Sequence, residues 1–409
     1  MFKSALSSSA IRGLTLLSKF ILILYLARSF TTYELGLYGL TTATIGFFLY
    51  LVGIDFYSFN TREILAHNPS DWTVLIRDQF VFHTIAYFLV SPLVISVFLL
   101  GFLPWQYFFW FYLLLILEHL CQESHRILVV LSKPLVAVVA HFFRGGLWTY
   151  IFILLITNIP AQGNLRTLFF LWSLGNITSL IFTLYHWQSL NWTKAFKTPI
   201  DWIWIKTGIR VSLPLLVGTL ALRGIMTIDR YALQHYWGEE YVGIYTFYAS
   251  IAFVLQIFID TGITMILYPK VVAAYQQKRW QDYKQLKKKF TKAVLGASLL
   301  LSLSAALLIY PVISLTQKAV YATYLPVYWI LLLSVMVTVL TGIPHYSLYA
   351  RRLDWAIISS NLTGLVVSLL ANIILVPKFG QIGAAGATLL AMLTIGNIKL
   401  LADYKTRII

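Results

Sequence analysis

Arg12–Tyr38 reads RGLTLLSKFILILYLARSFTTYELGLY, and the fold turns on this stretch. From Ile11 to Phe30 the run is apolar apart from Lys19, and it closes on Ala27-Arg28-Ser29-Phe30. The chain then turns through Thr31-Thr32-Tyr33-Glu34 into a second apolar run that begins Leu35-Gly36-Leu37-Tyr38. A helix needs about 20 apolar residues to cross the hydrocarbon of a bilayer. At 1.5 Å per residue, Lys19 stands roughly 12 Å into such a helix. An unpaired cation at that depth costs about 2.5–3.5 kcal/mol. Lys19 is therefore expected to face protein, or a wet cavity that holds an anion. The plain alternative is a lysine that snorkels or is paired inside the bundle.

The rest of the chain repeats this pattern. Of 409 residues, 59% are hydrophobic and only 11% charged, less than half the roughly 25% of a soluble domain. Mean hydropathy is +0.77. The composition excludes a soluble protein and specifies an integral membrane protein. The apolar windows are Ile11–Phe30, Gly36–Phe59, Phe80–Leu103, Trp105–Val130, Leu135–Ile156 and Leu168–Leu190. Beyond a linker come Ile209–Leu233, Val242–Tyr268, Ala293–Leu315, Tyr324–Tyr349, Trp355–Val376 and Ile382–Leu401. The runs are continuously apolar rather than alternating, so helices are expected and not a barrel. The expected fold is all-α and polytopic, with about 12 transmembrane helices in two six-helix bundles. The first apolar run is too long for the central segment of a typical signal peptide and reads as a retained span.

Net charge is +16, from 31 Lys+Arg against 15 Asp+Glu. In a soluble protein this would suggest nucleic acid. Here the cations crowd into alternate connections, which marks them as cytoplasmic. From Lys3 and Arg12 to Lys405 and Arg407, the inner segments hold 22 of the 31; the outer turns hold only Arg28, Arg166, Lys318 and Lys378. Both termini are therefore expected in the cytoplasm, in a multi-pass protein of the cell inner membrane, with no nucleic-acid partner. The inner loop Lys270–Lys292 is expected to set topology and to lie on anionic lipid headgroups. Cys121 is the single cysteine and no disulfide framework exists.

The domain reading follows the charges. Residues 1–190 form an N-terminal bundle, 191–208 a cytoplasmic interfacial linker carrying Trp192, Trp202 and Trp204 among lysines, and 209–409 a C-terminal bundle. The halves share a weak signature, Glu34-Leu35-Gly36-Leu37-Tyr38 against Glu240-Tyr241-Val242-Gly243-Ile244-Tyr245. Each is followed by an apolar helix with an acid near its far end, Asp55 and Asp260. A parallel repeat of this kind places a site between the halves.

Polar residues inside the spans need a reason to be there. The fourth span carries Glu118, His119, Gln122, Glu123, His125 and Arg126 within about 160° of helix surface. His119 can pair with Glu123, and Gln122 with Arg126, at four-residue spacing. This face lines a polar cavity or forms a self-satisfied network at the helix end. The seventh span carries a polar stripe through Ser212, Thr219, Arg223, Thr227, Arg230 and Gln234. His141 and Arg144 stand in the fifth span, Gln256 and Asp260 in the eighth. Cations outnumber acids in these apolar settings, which points to an anionic ligand. Arginine suits phosphate because its planar fork donates two parallel hydrogen bonds. Asp55 and Asp260 are candidates for proton or sodium coupling, with structural pairing as the alternative. No Walker loop, His-Glu-x-x-His, cysteine pair or Gly-x-Ser-x-Gly occurs. No metal or cofactor is expected, and the short outer turns disfavour a glycan polymerase or ligase, so the chain reads as no enzyme.

Ser18-Lys19, Ala27-Arg28 and Glu34-x-Gly36-x-Tyr38 resemble the first helix and turn of the polysaccharide-transport (Wzx-type) flippases. These belong to the multidrug/oligosaccharidyl-lipid/polysaccharide exporter superfamily. Asp229-Arg230-Tyr231 followed by Gly243-Ile244-Tyr245 resembles the start of their second half. The run Pro377-Lys378-Phe379-Gly380-Gln381-Ile382-Gly383-Ala384-Ala385-Gly386-Ala387-Thr388 resembles the turn before one of their late helices. The resemblance implies a V of two bundles around a central cavity, and alternating access without covalent chemistry. It implies as substrate a lipid-linked oligosaccharide of the undecaprenyl-diphosphate type, carried from the inner to the outer leaflet. It also names a glycan polymerase and a chain-length regulator as candidate partners, beside membrane lipids. By motif it assigns substrate contact to Lys19, Arg28 and Asp229-Arg230. To these the residue pattern adds Arg144 and Arg223 for the diphosphate, with Glu118, His119, Gln122, Glu123, Arg126, His141 and Gln256 along the cavity. Two rival readings share the fold. A multidrug or organic-cation antiporter would want buried acids to dominate. A peptidoglycan lipid-precursor flippase would want further arginines where Leu22–Leu26 stand.

Overall fold

The computed structural model describes residues 2–406. Met1 and residues 407–409, Arg407 of the inner set among them, lie outside the described residues, as does the side chain of Lys3. Among the described residues 10 helices are long and apolar enough to cross a membrane. One of them, α16 (Asp354–Lys405), is 52 residues long and breaks at Gly380, whose φ of 54° and ψ of −128° no helix contains. It is two helices. The 23-residue α5 (Phe108–Val130) is also long enough to span, although Glu118, Glu123 and Arg126 make it too charged to stand out by hydropathy. Dividing α16 and including α5 gives twelve membrane-length helices, in an all-α, polytopic membrane protein.

The chain forms two compact units, one of residues 1–25 with 41–216 and the other of residues 26–40 with 217–409. The first unit contains α1 (Phe2–Ser29) as far as Tyr25, and α2 (Thr32–Gly53) from Thr41. The short α3 (Tyr57–Ala66) and the long α4 (Trp72–Leu99) follow. Then come α5, α6 (Pro134–Phe142), α7 (Trp148–Asn158) and α8 (Leu165–Trp187). Between α6 and α7, Phe143–Leu147 widens into a π turn, so the two form one span. After α8 the chain forms the short α9 (Trp192–Lys197) and then enters α10 (Trp202–Trp237). The stretch after α8 is held against α4. Arg77 donates to the carbonyls of Ala195, Thr198 and, at 3.0 Å, Pro199, while Asp78 accepts from the Asp201 amide at 3.2 Å. Trp204 packs on Phe56 and Phe59 with ring centroids 5.3 Å away in each case, whereas Trp202 is exposed.

The second unit begins with the end of α1 and the start of α2. Thr31 and Glu34 form a reciprocal cap there: Glu34 Oε2 accepts from the Thr31 amide at 2.9 Å, and Thr31 Oγ1 accepts from the Glu34 amide at 3.2 Å. The remaining helices are α11 (Glu239–Ile259), α12 (Met265–Gln276), α13 (Trp280–Thr316), the short α14 (Ala319–Thr323), α15 (Leu325–Ala350) and α16. A π turn at Asp260–Thr264 joins α11 to α12. The two Gly-x-Tyr signatures meet face to face. A Cβ on Gly36 would collide with the Glu239 carbonyl, one on Gly243 with the Thr32 carbonyl, and one on Gly39 with the Thr246 side chain. Such small residues let helix backbones approach where side chains would hold them apart. The C-terminal Gly-Ala run works similarly. At Gly380 the positive φ favours glycine, and a Cβ on Gly383 would strike the Leu375 carbonyl. Trp237 Nε1 donates to the Val376 carbonyl at 2.8 Å, and Gln381 Nε2 to that of Tyr241 at 2.9 Å, pinning the break on α10 and α11.

Several expected boundaries move. α4 starts at Trp72 rather than Phe80, and α10 at Trp202 rather than Ile209. The inner loop Lys270–Lys292 is almost entirely helix, because α12 runs to Gln276 and α13 starts at Trp280. Hydropathy marks where a helix leaves hydrocarbon, whereas backbone hydrogen bonding continues along polar turns beyond it.

Candidate functional site

α5 places its polar residues against α3, α4, α8 and the span of α6 and α7, and Glu118, Glu123 and Arg126 divide between two networks. Glu118 is the hub of one. Its Oε2 accepts from Arg144 Nε at 2.7 Å and from Arg144 Nη2; its Oε1 accepts from Trp172 Nε1 at 2.6 Å and Asn176 Nδ2 at 3.1 Å. The π turn of Phe143–Leu147 presents Arg144 to this carboxylate. Single π turns inside α-helices are common at functional sites. Gly145 and Gly146 within it admit α1: Ser18 Oγ, itself buried, lies 3.4 Å from the Gly145 carbonyl. Lys19 follows on α1, exposed, with its Cε 3.4 Å and Nζ 4.0 Å from where a Cβ on Gly145 would sit. Among the described residues Lys19 has no ion-pair partner; its charge is felt by Arg144, Glu118 and His141.

Glu123 is the second hub. Gln79 Nε2 donates to its Oε2 at 2.7 Å, Arg126 pairs with its Oε1, and Asn60 in turn donates to Gln79. The Arg126 guanidinium lies 3.6 Å from the centroid of the Tyr57 ring, a cation–π arrangement. Burial raises the Tyr57 phenol above its ordinary value, and Arg126 opposes that shift. His119 does not pair with Glu123 as its spacing suggested. It meets the Tyr87 hydroxyl at 2.7 Å and the His83 ring edge-on, centroids 4.6 Å apart. Nor do Gln122 and Arg126 pair; Arg126 takes the closer carboxylate. His125 Nδ1 lies 3.0 Å from the Ala137 carbonyl, and its ring 5.5 Å from that of His141.

Asp55 is buried but lies outside the helix expected to contain it. α2 ends at Gly53, and both Ile54 (φ 48°) and Asp55 (φ 51°) take the left-handed conformation. For a β-branched residue such as Ile54 this is a true outlier. The break lies beside the α5 networks: a Cβ on Gly53 would sit 3.0 Å from His119 Nε2. In the second unit Asp260 opens the π turn after α11, one helical turn beyond Gln256. Both repeat acids thus stand where a helix departs from α geometry.

Asp229 and Arg230 lock the second unit. Buried Asp229 accepts from the Tyr245 hydroxyl at 2.5 Å, Arg230 lies 3.3 Å from Asp229 Oδ1, and its guanidinium stands 5.6 Å from the Tyr245 ring centroid. Arg28 and Arg223 are exposed in this unit.

The sequence reading missed the residues that complete these clusters. Gln79, His83 and Tyr87 form a stripe at four-residue spacing on α4, which a span starting at Phe80 cut in two. Lys399 is 5% exposed on α16 and has no ion-pair partner among the described residues; its charge reaches half-buried His345 on α15. A lysine inside an apolar run was the available signal.

No family model matches the chain, and no curated protein does. Solved structures do. A multidrug resistance MATE family transporter of the MOP superfamily, in an inward-facing conformation, aligns at a TM-score of 0.75 and 14% identity, over 99% of this chain and 100% of that one. The lipid II flippase MurJ in an inward closed conformation aligns at 0.72 and 13% identity, over 99% and 88%. A MATE transporter of Vibrio cholerae aligns at 0.60 and 13% identity, over 99% and 98%. The chain therefore has the fold these transporters share.

Proposed function

We propose that the protein moves a polyprenyl-diphosphate-linked oligosaccharide, such as an O-antigen, capsule or exopolysaccharide repeat unit, from the inner to the outer leaflet of the cytoplasmic membrane by alternating access. Both termini lie in the cytoplasm on this reading. One observation carries it: Lys19 is an exposed ammonium within a membrane-spanning helix, beside the Arg144–Glu118 pair and without a carboxylate of its own. Arg144, Arg126 and Arg230 are each engaged by an acid and act as supports for the site. Lys19 contacts the diphosphate, and Arg223 is a second candidate for that contact. The polar residues of α5 border the sugars. Export of about two negative charges from a negative cytoplasm is favoured by roughly 4.6 kcal/mol per 100 mV.

The test is export in cells whose only copy is a variant. Lys19→Gln is expected to accumulate lipid-linked glycan on the cytoplasmic face at normal protein levels, with Lys19→Arg partly restoring export. Normal glycan export by Lys19→Gln would overturn the assignment. A peptidoglycan precursor presents a similar diphosphate, and MurJ shares the fold, so the glycan on the accumulated lipid separates these readings. An organic-cation antiporter is less favoured, because buried Glu118, Glu123, Asp229 and Asp403 are each paired with an arginine.

A further inference from the structure

The second unit contains a cavity of about 970 Å³ walled by the polar first turns of α13 and by the ends of α12, α15 and α16. Its floor is a built polar lattice. Asp403, buried, pairs with Arg351 and, at 3.2 Å, with Lys287. Ser347 accepts from Lys287 at 2.8 Å and lies 3.0 Å from the Tyr283 hydroxyl. Two cations thus share one carboxylate. Above them Lys284, Lys288 and Lys292 line the same cavity and have no ion-pair partner among the described residues. They recur every four residues on α13, so their ammonium groups form a stripe about 12 Å long. Like charges at this spacing repel one another, and a bound polyanion would relieve that repulsion. One side of the cavity is aromatic. The Tyr275 ring meets Trp280 and Tyr283 edge-on, with centroids 5.4 and 5.2 Å away. The volume falls within the roughly 300–1,000 Å³ of small-molecule sites.

We propose that this cavity binds a phosphate-bearing anion, with the lysine stripe holding the phosphates and the aromatic wall covering the uncharged part of the molecule. The positive-inside pattern places it at the cytoplasmic surface, where both phospholipid headgroups and soluble diphosphates are available. The site lies wholly within the second unit, and its assignment does not depend on Lys19 or on the cargo.

The test uses the purified full-length protein in nanodiscs of neutral phosphatidylcholine. Inorganic pyrophosphate is titrated in one arm, and phosphatidylglycerol is added to the nanodiscs in the other; binding is read as an increase in melting temperature and by native mass spectrometry. At a charged lipid surface each lysine contributes roughly a factor of five, so K284Q/K288Q/K292Q is expected to weaken binding about a hundredfold. The arginine triple variant should retain binding, and neither variant should melt below the wild-type temperature without ligand. Binding of pyrophosphate identifies a soluble phosphate ligand; binding of phosphatidylglycerol alone identifies a lipid headgroup. Equal binding by wild type and the glutamine variant, or none by wild type in either arm, would overturn the proposal.

Discussion

Replacing Glu118 with Gln would leave Arg144 charged against an uncharged amide inside the first unit. Both side chains are largely buried, 9% and 15% exposed, and Glu118 accepts from Arg144, Trp172 and Asn176 together. Removing one partner of such a pair costs about 3–5 kcal/mol, because the other charge stays buried without compensation. Glu118→Gln combined with Arg144→Leu removes both charges while the Gln amide oxygen still accepts from Trp172 and Asn176, and replacing both partners of a buried pair is often close to neutral. The double variant should therefore be more stable than Glu118→Gln despite carrying the greater chemical change. The assay is reversible unfolding of the detergent-solubilised protein, with Glu118→Gln, Arg144→Leu and the double variant completing a cycle. Single variants within about 1 kcal/mol of wild type would refute the reasoning. Arg144 would then not depend on Glu118 and would be available as the phosphate ligand expected from the sequence.

Two further substitutions test the packing. Gly36→Ala should destabilise the second unit by about 1–3 kcal/mol, the usual range for overpacking, since its Cβ would collide with the Glu239 carbonyl; Gly13→Ala, with nothing within 4 Å, is the control in the same unfolding assay. Tyr87→Phe removes the hydroxyl 2.7 Å from His119 Nδ1, and a buried polar group left without its partner costs about 1–3 kcal/mol, measurable by the same unfolding.

The spans were legible because continuous apolar runs of membrane length admit few other readings. α5 shows the limit of that signal: Glu118, Glu123 and Arg126 lower its hydropathy, yet each finds a partner and the helix forms. Site chemistry was legible as composition and much less as pairing. Spacing along one helix suggested His119 with Glu123, but α4 brings Gln79 and Tyr87 to those two residues. Arg144 meets Glu118 through the widened turn Phe143–Leu147, and nothing in the local sequence specifies such a turn beyond its paired glycines. Buried Lys399 stands in an apolar run as Lys19 does, and the same argument applies to it.

The contact of Gly36 and Gly39 with the first turns of α11 is largely main chain against main chain. It asks almost nothing of the side chains on the opposite faces of the same two helices. Those faces can take other side chains, while the crossing itself tolerates scarcely one added methyl group. The crossing thus fixes a few small residues and leaves the rest of both helices to be set by other contacts.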